Sequence, residues 1–533
     1  MKKILTVFLA AAMAAICAFA GACDKHTVDN TVEDTKNLYI YVETKGYGNE
    51  MIYALAEAFE AKNSGVIVHV KDTTLNSVIT NTMDLGPEAN DYDLYFSLNE
   101  SFTLRENYKN VFVGYEDGVY EMTDLYNTVI PGEELTLGEK MLDTFRDYYN
   151  LGTEEDPHYF GLSWVTGTMG MTYNAAVFRE VFGDDFEEKL PRTTDELFEV
   201  ASALKAAKKV PFVFPAQIDY FQTSMLYPWW AQYEGLESYY RFFDGLAWDP
   251  VSETYILSKE IYSQQGRLEA LEAMNELVCA ENGFVLETAM DYNDNNFRTL
   301  QTRFLTAEQG YAMYPCGDWL EQESSYTGSA EIGMMQTPVI SSIVDRLTSF
   351  KGTDEQKEQT LRDVIDYVDG KTDVKPDGVS DEDIEEVRQA RNMFTSTHGF
   401  GHTAWMPAYC NAKALAEKFL LFMASDEGIE IFKANCGGGF LPFKHDYDQE
   451  NLSYFEKTME EKMDDIIYVG SFMKNDLFAK GGITAWGTSE ASIDTYFTSD
   501  PSSRYHAEPQ AVFDMMKKTE SQWQNALFMA GLM

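Results

Sequence analysis

Residues 38–70, LYIYVETKGYGNEMIYALAEAFEAKNSGVIVHV, decide the fold because they contain a strand, a helix and a second strand in immediate succession. The segments 38–42 and 66–70 are short β-branched and aromatic runs, as in buried strands. Residues 50–62 lie between them and place three apolar side chains on one helical face: Ile52, Leu55 and Phe59. This βαβ unit predicts an α/β fold in which helices cover a parallel sheet.

Polar and aromatic side chains follow several of the predicted strands. A third strand is predicted over residues 92–98 and a later one over residues 310–315. The side chains after these strands are Glu43, Lys45 and Tyr47, then Asn99 and Glu100, and finally Cys316, Asp318 and Trp319. Because ligands of open α/β sheets bind beyond the carboxyl ends of the strands, the pattern predicts a ligand site there. The alternative for Glu43 and Lys45 is a surface ion pair.

The first 22 residues have the pattern of a secretory signal: a basic start, an apolar run and small residues before Cys23. Residues 20–23, AGAC, resemble a bacterial lipoprotein cleavage site, in which the cysteine is lipidated. Residues 23–36 are polar and lack apolar periodicity, so we expect a flexible tether there. The sequence therefore predicts an exported domain that Cys23 anchors to the extracytoplasmic face of the cell membrane.

Composition limits the classes of partner. The 533 residues carry a formal net charge of −46, which repels nucleic acid and anionic lipid. Aromatic residues make up 14% of the chain, and such a surplus is typical of binding surfaces. The cysteines after the leader have no CxxC spacing, so structural or free thiols are expected, with disulfides permitted by export: Cys279, Cys316, Cys410 and Cys436.

Two motifs have partial metal-site spacing. Residues 291–297 carry acidic and amide side chains at calcium-loop spacing, but Asn296 replaces the required glycine and Thr302 replaces the glutamate. His398 and His402 are four residues apart, but glycines between them oppose a regular helix, and no HExxH motif is present. The sequence therefore predicts neither a metal site nor a cofactor.

A second α/β segment begins near residues 160–174, FGLSWVTGTMGMTYN, and continues into a strand predicted over residues 210–215. Residues 345–392 are rich in aspartate and glutamate. Within them, Ser380 and Asp383 have capping-box spacing before a predicted helix. We interpret this segment as an acidic helical insertion on the surface of one domain.

Several segments, in their order along the chain, resemble the family 1 extracellular solute-binding proteins, which are the carbohydrate-binding components of ABC importers. The segments are YGNEMIYALAEAFEAKNSGVIVHV (47–70), YFGLSWVTGTMGMTYNAAVF (159–178), LPRTTDELFEVASALK (190–205), TRFLTAEQGYAMYPCGDWL (302–320) and MPAYCNAKALAEKFLLFMASDEGIEIF (406–432). They cover most of the chain after the leader, while the acidic insertion departs from the compact members.

This resemblance implies an α/β fold with two lobes, of the periplasmic-binding-protein type II class, and a ligand cleft between the lobes. A multi-strand hinge would join them. The expected N-terminal lobe comprises residues 37–155 and 303–400, including the insertion 345–392. The expected C-terminal lobe comprises residues 156–302 and 401–533.

The resemblance also implies a set of ligand contacts. In a sugar cleft, rings stack on the apolar faces of pyranoses while carboxylates and amides bond to hydroxyls. The implied set is Glu43, Lys45, Tyr47, Glu100, Tyr173, Tyr227, Trp230, Asp318, Trp319 and Trp486. Core packing is the alternative for the aromatic members, because indoles are mostly buried whatever their role. Asp318 has a second alternative, which is to cap the turn beside Trp319.

The stretch YPWWAQY (227–233) contains two adjacent tryptophans. If a helix begins at Pro228, Trp229 and Trp230 point about 100° apart and cannot both face one ligand. We expect Tyr227 to be the stacking residue, with one tryptophan in the core and Trp230 as a wall of the cleft.

The favoured interpretation is a monomeric, lipid-anchored binding protein without catalytic residues. It would capture a sugar, expected to be an oligosaccharide, and deliver it to the permease subunits of an ABC importer. A lipid-anchored glycoside hydrolase is the alternative from another class, since 87 acidic residues leave room for a catalytic carboxylate pair. A third alternative keeps the fold and changes the ligand to a peptide, a polyamine or an organic anion.

Overall fold

The structure is a computed structural model. It describes residues 34–215, 219–279, 281–285, 297–306, 310–324, 330–396, 401–463, 465–472, 474–488, 491–492, 509–518 and 520–533. The predicted signal peptide, Cys23, most of the tether, the calcium-like loop and His398 lie outside the described residues.

Lobe 1 is built on a five-stranded sheet. Its strands lie in the spatial order Ile67–Thr73, Asn37–Glu43, Leu94–Leu98, His402–Trp405 and Leu162–Ser163. The first three are parallel to one another, and His402–Trp405 runs antiparallel to both of its neighbours. The helices of this lobe are Glu50–Lys62, Asn76–Met83, Ser101–Tyr108, Thr123–Tyr126, Leu137–Lys140, Asp143–Tyr149, Lys413–Met423 and Asp426–Ala434.

The predicted βαβ unit is confirmed. Helix Glu50–Lys62 joins two parallel strands and buries Ile52, Leu55 and Phe59 as expected, together with Met51 and Ala56. Asn63 ends the helix, with its backbone N–H bonded to the carbonyls of Phe59 and Glu60.

Lobe 2 is built on a six-stranded sheet. Five strands lie in the order Ile467–Val469, Met393–Ser396, Thr168–Asn174, Tyr311–Gly317 and Val210–Phe212, while Ile332–Met334 pairs with the far end of Thr168–Asn174. The helices that follow Asn174 in this part of the chain are Ala175–Phe182, Thr194–Ala206, Asp219–Glu234, Leu236–Phe243, Gln265–Val278, Phe297–Phe304, Leu320–Ser324, Asp354–Val368, Asp381–Arg391, Tyr454–Glu460, Asp476–Ala479, Pro509–Met516 and Glu520–Met529. A separate hairpin pairs Leu246–Asp249 with Thr254–Leu257.

The sheets correct the expected division of the chain between the lobes. Strands Tyr311–Gly317 and Met393–Ser396, expected in the N-terminal lobe, flank Thr168–Asn174 in the sheet of lobe 2. Strand His402–Trp405, expected in the C-terminal lobe, lies in the sheet of lobe 1. The lobe to which a strand belongs depends on the strands with which it pairs, and the sequence pattern of a strand does not indicate those partners.

Three connections join the lobes. The first runs from Ser163 to Thr168, and the second links Ser396 to His402. The third leads from helix Asp426–Ala434, which packs on Glu50–Lys62, to helix Tyr454–Glu460, which packs on strand Ile332–Met334. Three crossings give the multi-strand hinge that the resemblance implied. No described helix is long and apolar enough to cross a membrane.

The acidic insertion folds as helices Asp354–Val368 and Asp381–Arg391. Ser380 caps the second helix as predicted, since its hydroxyl accepts the Asp383 backbone N–H at 3.1 Å. The apolar faces of both helices belong to the core of lobe 2: Leu361, Val364, Ile365, Ile384 and Val387. The insertion therefore lies on lobe 2, not on the lobe to which it was assigned.

Candidate functional site

The strand ends of the two sheets meet at the hinge. In lobe 1, three parallel strands end near Glu43 and Leu98, and in lobe 2 strand Tyr311–Gly317 leads into Asp318. The hydroxyl of Ser396 donates to the Thr166 carbonyl at 3.0 Å, which ties two of the connections together. The edge predicted to hold a ligand is therefore also the edge at which the lobes join.

Asp318 lies fully buried at the centre of this junction. One carboxylate oxygen accepts the Tyr47 hydroxyl at 2.5 Å, from lobe 1. The other accepts the Thr166 hydroxyl and the Thr168 backbone N–H, both at 3.0 Å, from the first connection. Burial raises the pKa of Asp318 to about 6, while the hydrogen bond from Tyr47 opposes that rise. Asp318 thus holds two lobes together; no ligand reaches it in this conformation.

Trp319 and Tyr47 pack beside Asp318. Their rings meet edge-on, with centroids 6.0 Å apart, and the indole of Trp319 covers the backbones of Gly46 and Gly317. A Cβ on Gly317 would lie 2.0 Å from the indole, so glycine is required at that position. Trp319 is 7% exposed and Tyr47 is 1% exposed, which makes both part of the buried junction.

Glu43 forms the ion pair that was the alternative to ligand contact. Its buried carboxylate lies 3.2 Å from the Lys45 ammonium and also accepts the Asn76 amide at 2.9 Å. The backbone N–H of Leu98 donates to the oxygen that accepts the Asn76 amide, at 3.2 Å. Glu43 therefore fixes the ends of neighbouring strands, and Lys45, whose side chain is 54% exposed, is the member of the pair that solvent reaches.

Glu100 follows the third strand and is half-buried. Burial raises the pKa of its carboxyl to about 8, although the Thr103 hydroxyl donates to it at 3.1 Å. The carboxyl is therefore mostly protonated at neutral pH and can donate as well as accept a hydrogen bond. Tyr148 and Tyr149 lie near enough for the charge of Glu100 to raise the pKa of both phenols, in addition to the larger effect of burial.

A loop of lobe 2 reaches these tyrosines from across the molecule, and no motif in the sequence indicated it. The Phe472 ring lies 5.8 Å from that of Tyr148, and 4.7 Å from that of Tyr240 in its own lobe. The Lys474 ammonium donates to the backbone carbonyls of Asp147 and Asn150 in lobe 1. Together these contacts connect the lobes on the side where Glu100 lies.

Tyr227, Trp230 and Trp486 come together in lobe 2. The Tyr227 ring is 6.2 Å from that of Trp230 and 6.0 Å from that of Trp486. Trp230 is fully buried and bonds to the Gln264 side chain at 2.8 Å, so its expected place on a cleft wall is wrong. Trp486 is 4% exposed. Tyr227 is the partly accessible member of the three.

The helix that carries Tyr227 does not begin at Pro228, as the sequence suggested. It spans Asp219–Glu234, with the proline inside. Proline has no N–H to bond the carbonyl four residues earlier, which is that of Ser224. The Thr395 hydroxyl donates to that carbonyl at 3.0 Å instead, and this contact compensates for the lost helical bond.

Of the remaining candidates, Tyr173 lies apart from the junction and Trp164 packs against it. Tyr173 is at the far end of the strand that begins at Thr168, where its hydroxyl bonds to that of Tyr454 at 2.8 Å. Trp164 meets the Tyr47 ring edge-on, with centroids 5.6 Å apart, and is fully buried, as are Trp229 and Trp405. The four described cysteines are free thiols: Cys279, Cys316, Cys410 and Cys436.

No family model and no curated protein matches the chain by sequence. Solved structures match across nearly its whole length. A chitin oligosaccharide binding protein is 16% identical over 92% of this chain and 100% of its own, with a TM-score of 0.56. A probable secreted solute-binding lipoprotein from Streptomyces coelicolor is 13% identical over 92% and 100%, with a TM-score of 0.58.

The solute-binding protein RafE, solved in complex with raffinose, is 13% identical over 91% of this chain and 98% of its own, with a TM-score of 0.53. At such identities the likeness concerns the fold. The chain therefore has the two-lobe α/β fold of the solute-binding proteins, as the sequence resemblance implied.

Proposed function

We propose that this protein captures an oligosaccharide between its lobes and delivers it to the permease subunits of an ABC importer. The fold supports this proposal, since two of its structural neighbours are named for, or solved with, oligosaccharides. Capture would work by hinge closure, in which the ligand favours the closed arrangement because it contacts both lobes.

The position of Glu100 is the observation that carries the proposal: its half-buried carboxyl lies beside Tyr148 and Tyr149, where Phe472 of lobe 2 reaches lobe 1. Sugar hydroxyls both donate and accept hydrogen bonds, and a neutral carboxyl can pair with them as an acceptor or as a donor. It does so without adding to the buried negative charge of Glu43 and Asp318 in a chain whose net charge is −46. The partly exposed ring of Phe472, which packs beside the buried Tyr148, supplies apolar surface of the kind that packs on pyranose faces.

A glycoside hydrolase is the second candidate, because a carboxyl with a raised pKa is also what a general acid requires. Such an enzyme needs a second carboxylate about 5–10 Å away across the substrate. Asp318 is a poor partner, since three donors occupy its buried carboxylate. Assaying every bound oligosaccharide for reducing-end release separates the two functions: cleavage would favour the hydrolase, and intact ligand favours the binding protein.

The proposal is tested by thermal shift and calorimetric titration against chitin- and raffinose-type oligosaccharides. One class should bind saturably and stabilise the fold by about 2.7 kcal/mol at a hundredfold excess over Kd. Tyr227→Ala should weaken that binding more than it lowers Tm, while Tyr173→Phe, altered at the far end of its strand, should bind normally. If no saccharide binds, the carbohydrate function is wrong; if Tyr227→Ala loses only stability, Tyr227 is a packing residue.

We also propose that Cys23 carries the lipid that holds the protein at the extracytoplasmic face of the membrane. The leader that precedes this cysteine supports the assignment. Mass spectrometry of the membrane fraction should find a diacylated N-terminal cysteine. In a Cys23→Ala variant the protein should leave the membrane fraction, and its retention there would contradict lipid anchoring.

A further inference from the structure

A cavity lies in lobe 2, at the end of strand Thr168–Asn174 remote from the hinge. It has a volume of about 620 Å³. One wall is formed by the insertion, through the end of helix Asp381–Arg391, and the facing wall by helix Tyr454–Glu460 and the turn after it. The insertion, whose role the sequence did not explain, thus helps to build a cavity in this lobe.

Positive side chains outnumber acidic ones in the lining of this cavity. The positive residues are Lys371, Arg388, Arg391, Lys457 and Lys462, and the acidic residues are Glu187, Asp369, Glu461 and Asp465. The Arg391 side chain is 8% exposed and the Arg388 side chain 42%, so the positive groups extend from the wall of the cavity to its mouth. In a chain with a net charge of −46, a cavity lined by more basic than acidic groups is contrary to the rest of the composition.

Some of these positive groups are already satisfied. Arg391 makes a bidentate pair with Asp369, at 2.9 and 3.1 Å. The Lys462 ammonium donates to the Thr458 carbonyl of its own turn. Among the described residues, no ion-pair or hydrogen-bond partner lies at the Lys457 ammonium. Lys457 is therefore the positive group in this cavity that a ligand can engage without displacing another contact.

Tyrosine hydroxyls close one side of the cavity. Tyr454 donates to Glu187 at 2.5 Å and pairs with the Tyr173 hydroxyl at 2.8 Å. These bonds fix the start of helix Tyr454–Glu460 and hold Lys457, one turn later, toward the cavity. Tyr173 is buried and offers no open ring face, so the cavity suits a charged ligand better than a stacked sugar.

We propose that this cavity binds a small anion that carries a phosphate or carboxylate group, with Lys457 and Arg388 as its principal contacts. Charge-assisted hydrogen bonds from ammonium and guanidinium groups are the strong contacts available to such a ligand. The Arg388 guanidinium lies 3.5 Å from the carboxylate of the exposed Glu385, one turn earlier. Such a surface ion pair stabilises the fold only slightly, so an anion that displaces Glu385 loses little free energy. The site is independent of the hinge and of any sugar held between the lobes.

Calorimetric titration at low ionic strength tests the proposal, with inorganic phosphate and glucuronate as separate probes. One of them should bind saturably, and which one identifies the anionic group. Lys457→Gln combined with Arg388→Gln should weaken binding at least tenfold. Lys375→Gln, at an exposed position of the same insertion outside the cavity, should change affinity less than twofold.

Titration of Lys462 gives an independent readout. Burial lowers the pKa of Lys462, which also lines this cavity, to about 8; the charge of Arg391 lowers it further, and the charges of Glu461 and Asp369 oppose this. Affinity for the anion should therefore fall as pH rises through 8. Unaltered thermal unfolding of the double variant would show that it folds. The proposal is overturned if neither probe binds the wild-type protein, or if the double variant binds as tightly as the wild type.

Discussion

Replacing Asp318 with asparagine would measure how the hinge depends on a buried negative charge. The side chain is fully buried, and its carboxylate accepts hydrogen bonds from Tyr47, Thr166 and Thr168. Asparagine has the same shape. Its carbonyl can accept from the two threonines, and its amide can donate to the Tyr47 oxygen, so we expect the variant to fold.

The magnitude follows from the pKa of this carboxyl. Burial raises it from 3.8 to about 6, so the folded protein binds the Asp318 proton more tightly than the unfolded chain does. The stabilisation from the protonated form is complete at low pH and is lost as pH rises through 6. The two pKa values correspond to about 3 kcal/mol between acidic and neutral pH, of which about 1 kcal/mol falls between pH 5 and pH 7.

Urea denaturation at pH 5 and pH 7 provides the assay. When the pH is lowered from 7 to 5, protonation of Asp318 should add about 1 kcal/mol to the unfolding free energy of the wild type. The Asp318→Asn variant should lack this gain. Asp93, whose pKa burial also raises to about 6, remains in both proteins and cancels. Asp373→Asn, at an exposed position, controls for the loss of one charge. An identical pH dependence in wild type and Asp318→Asn would refute the reasoning.

Two further predictions concern the region between the lobes. In the wild type, sugar affinity should decline above pH 8 as Glu100 ionises. Glu100→Gln should keep the affinity at pH 7 and show no such decline, because glutamine resembles the protonated carboxyl. Glu100→Ala should bind sugar more weakly at both pH values, as measured by calorimetry. Lys474→Ala removes bonds to two lobe 1 carbonyls, so small-angle scattering should show a larger radius of gyration without sugar, and affinity should fall several-fold. Lys189→Ala, exposed on lobe 2, should change neither quantity.

Local elements were predictable because their signals are local. The βαβ unit at 38–70 could be read from apolar periodicity, and the cap at Ser380 from side-chain type and spacing. Lobe membership could not be read in this way. Strand Tyr311–Gly317 was predicted, whereas His402–Trp405 was not predicted as a strand. The partners of both lie far away in sequence and place each strand in the lobe opposite to the expected one.

The residues of the candidate site were likewise predictable only where the signal was local. Residues directly after strands, such as Tyr47 and Asp318, do converge on one edge of the fold, because the strand ends of the two sheets meet where the lobes join. Their burial was not predictable, because the closing of that edge depends on packing between lobes. Phe472 and Lys474 were missed altogether, since they lie in a loop without periodicity or motif, and only the folded chain brings them to Tyr148.

The two tryptophans of YPWWAQY show why a correct angular argument led to a wrong boundary. Side chains 100° apart on a helix do face different surroundings: Trp229 bonds to the Pro338 carbonyl and Trp230 to Gln264. Both surroundings are nevertheless core, because lobe 2 encloses the helix on more than one side. Pro228 signals a helix start only when no other group can satisfy the carbonyl that it leaves free. Here Thr395, from a strand distant in sequence, provides that group, so the helix continues through the proline.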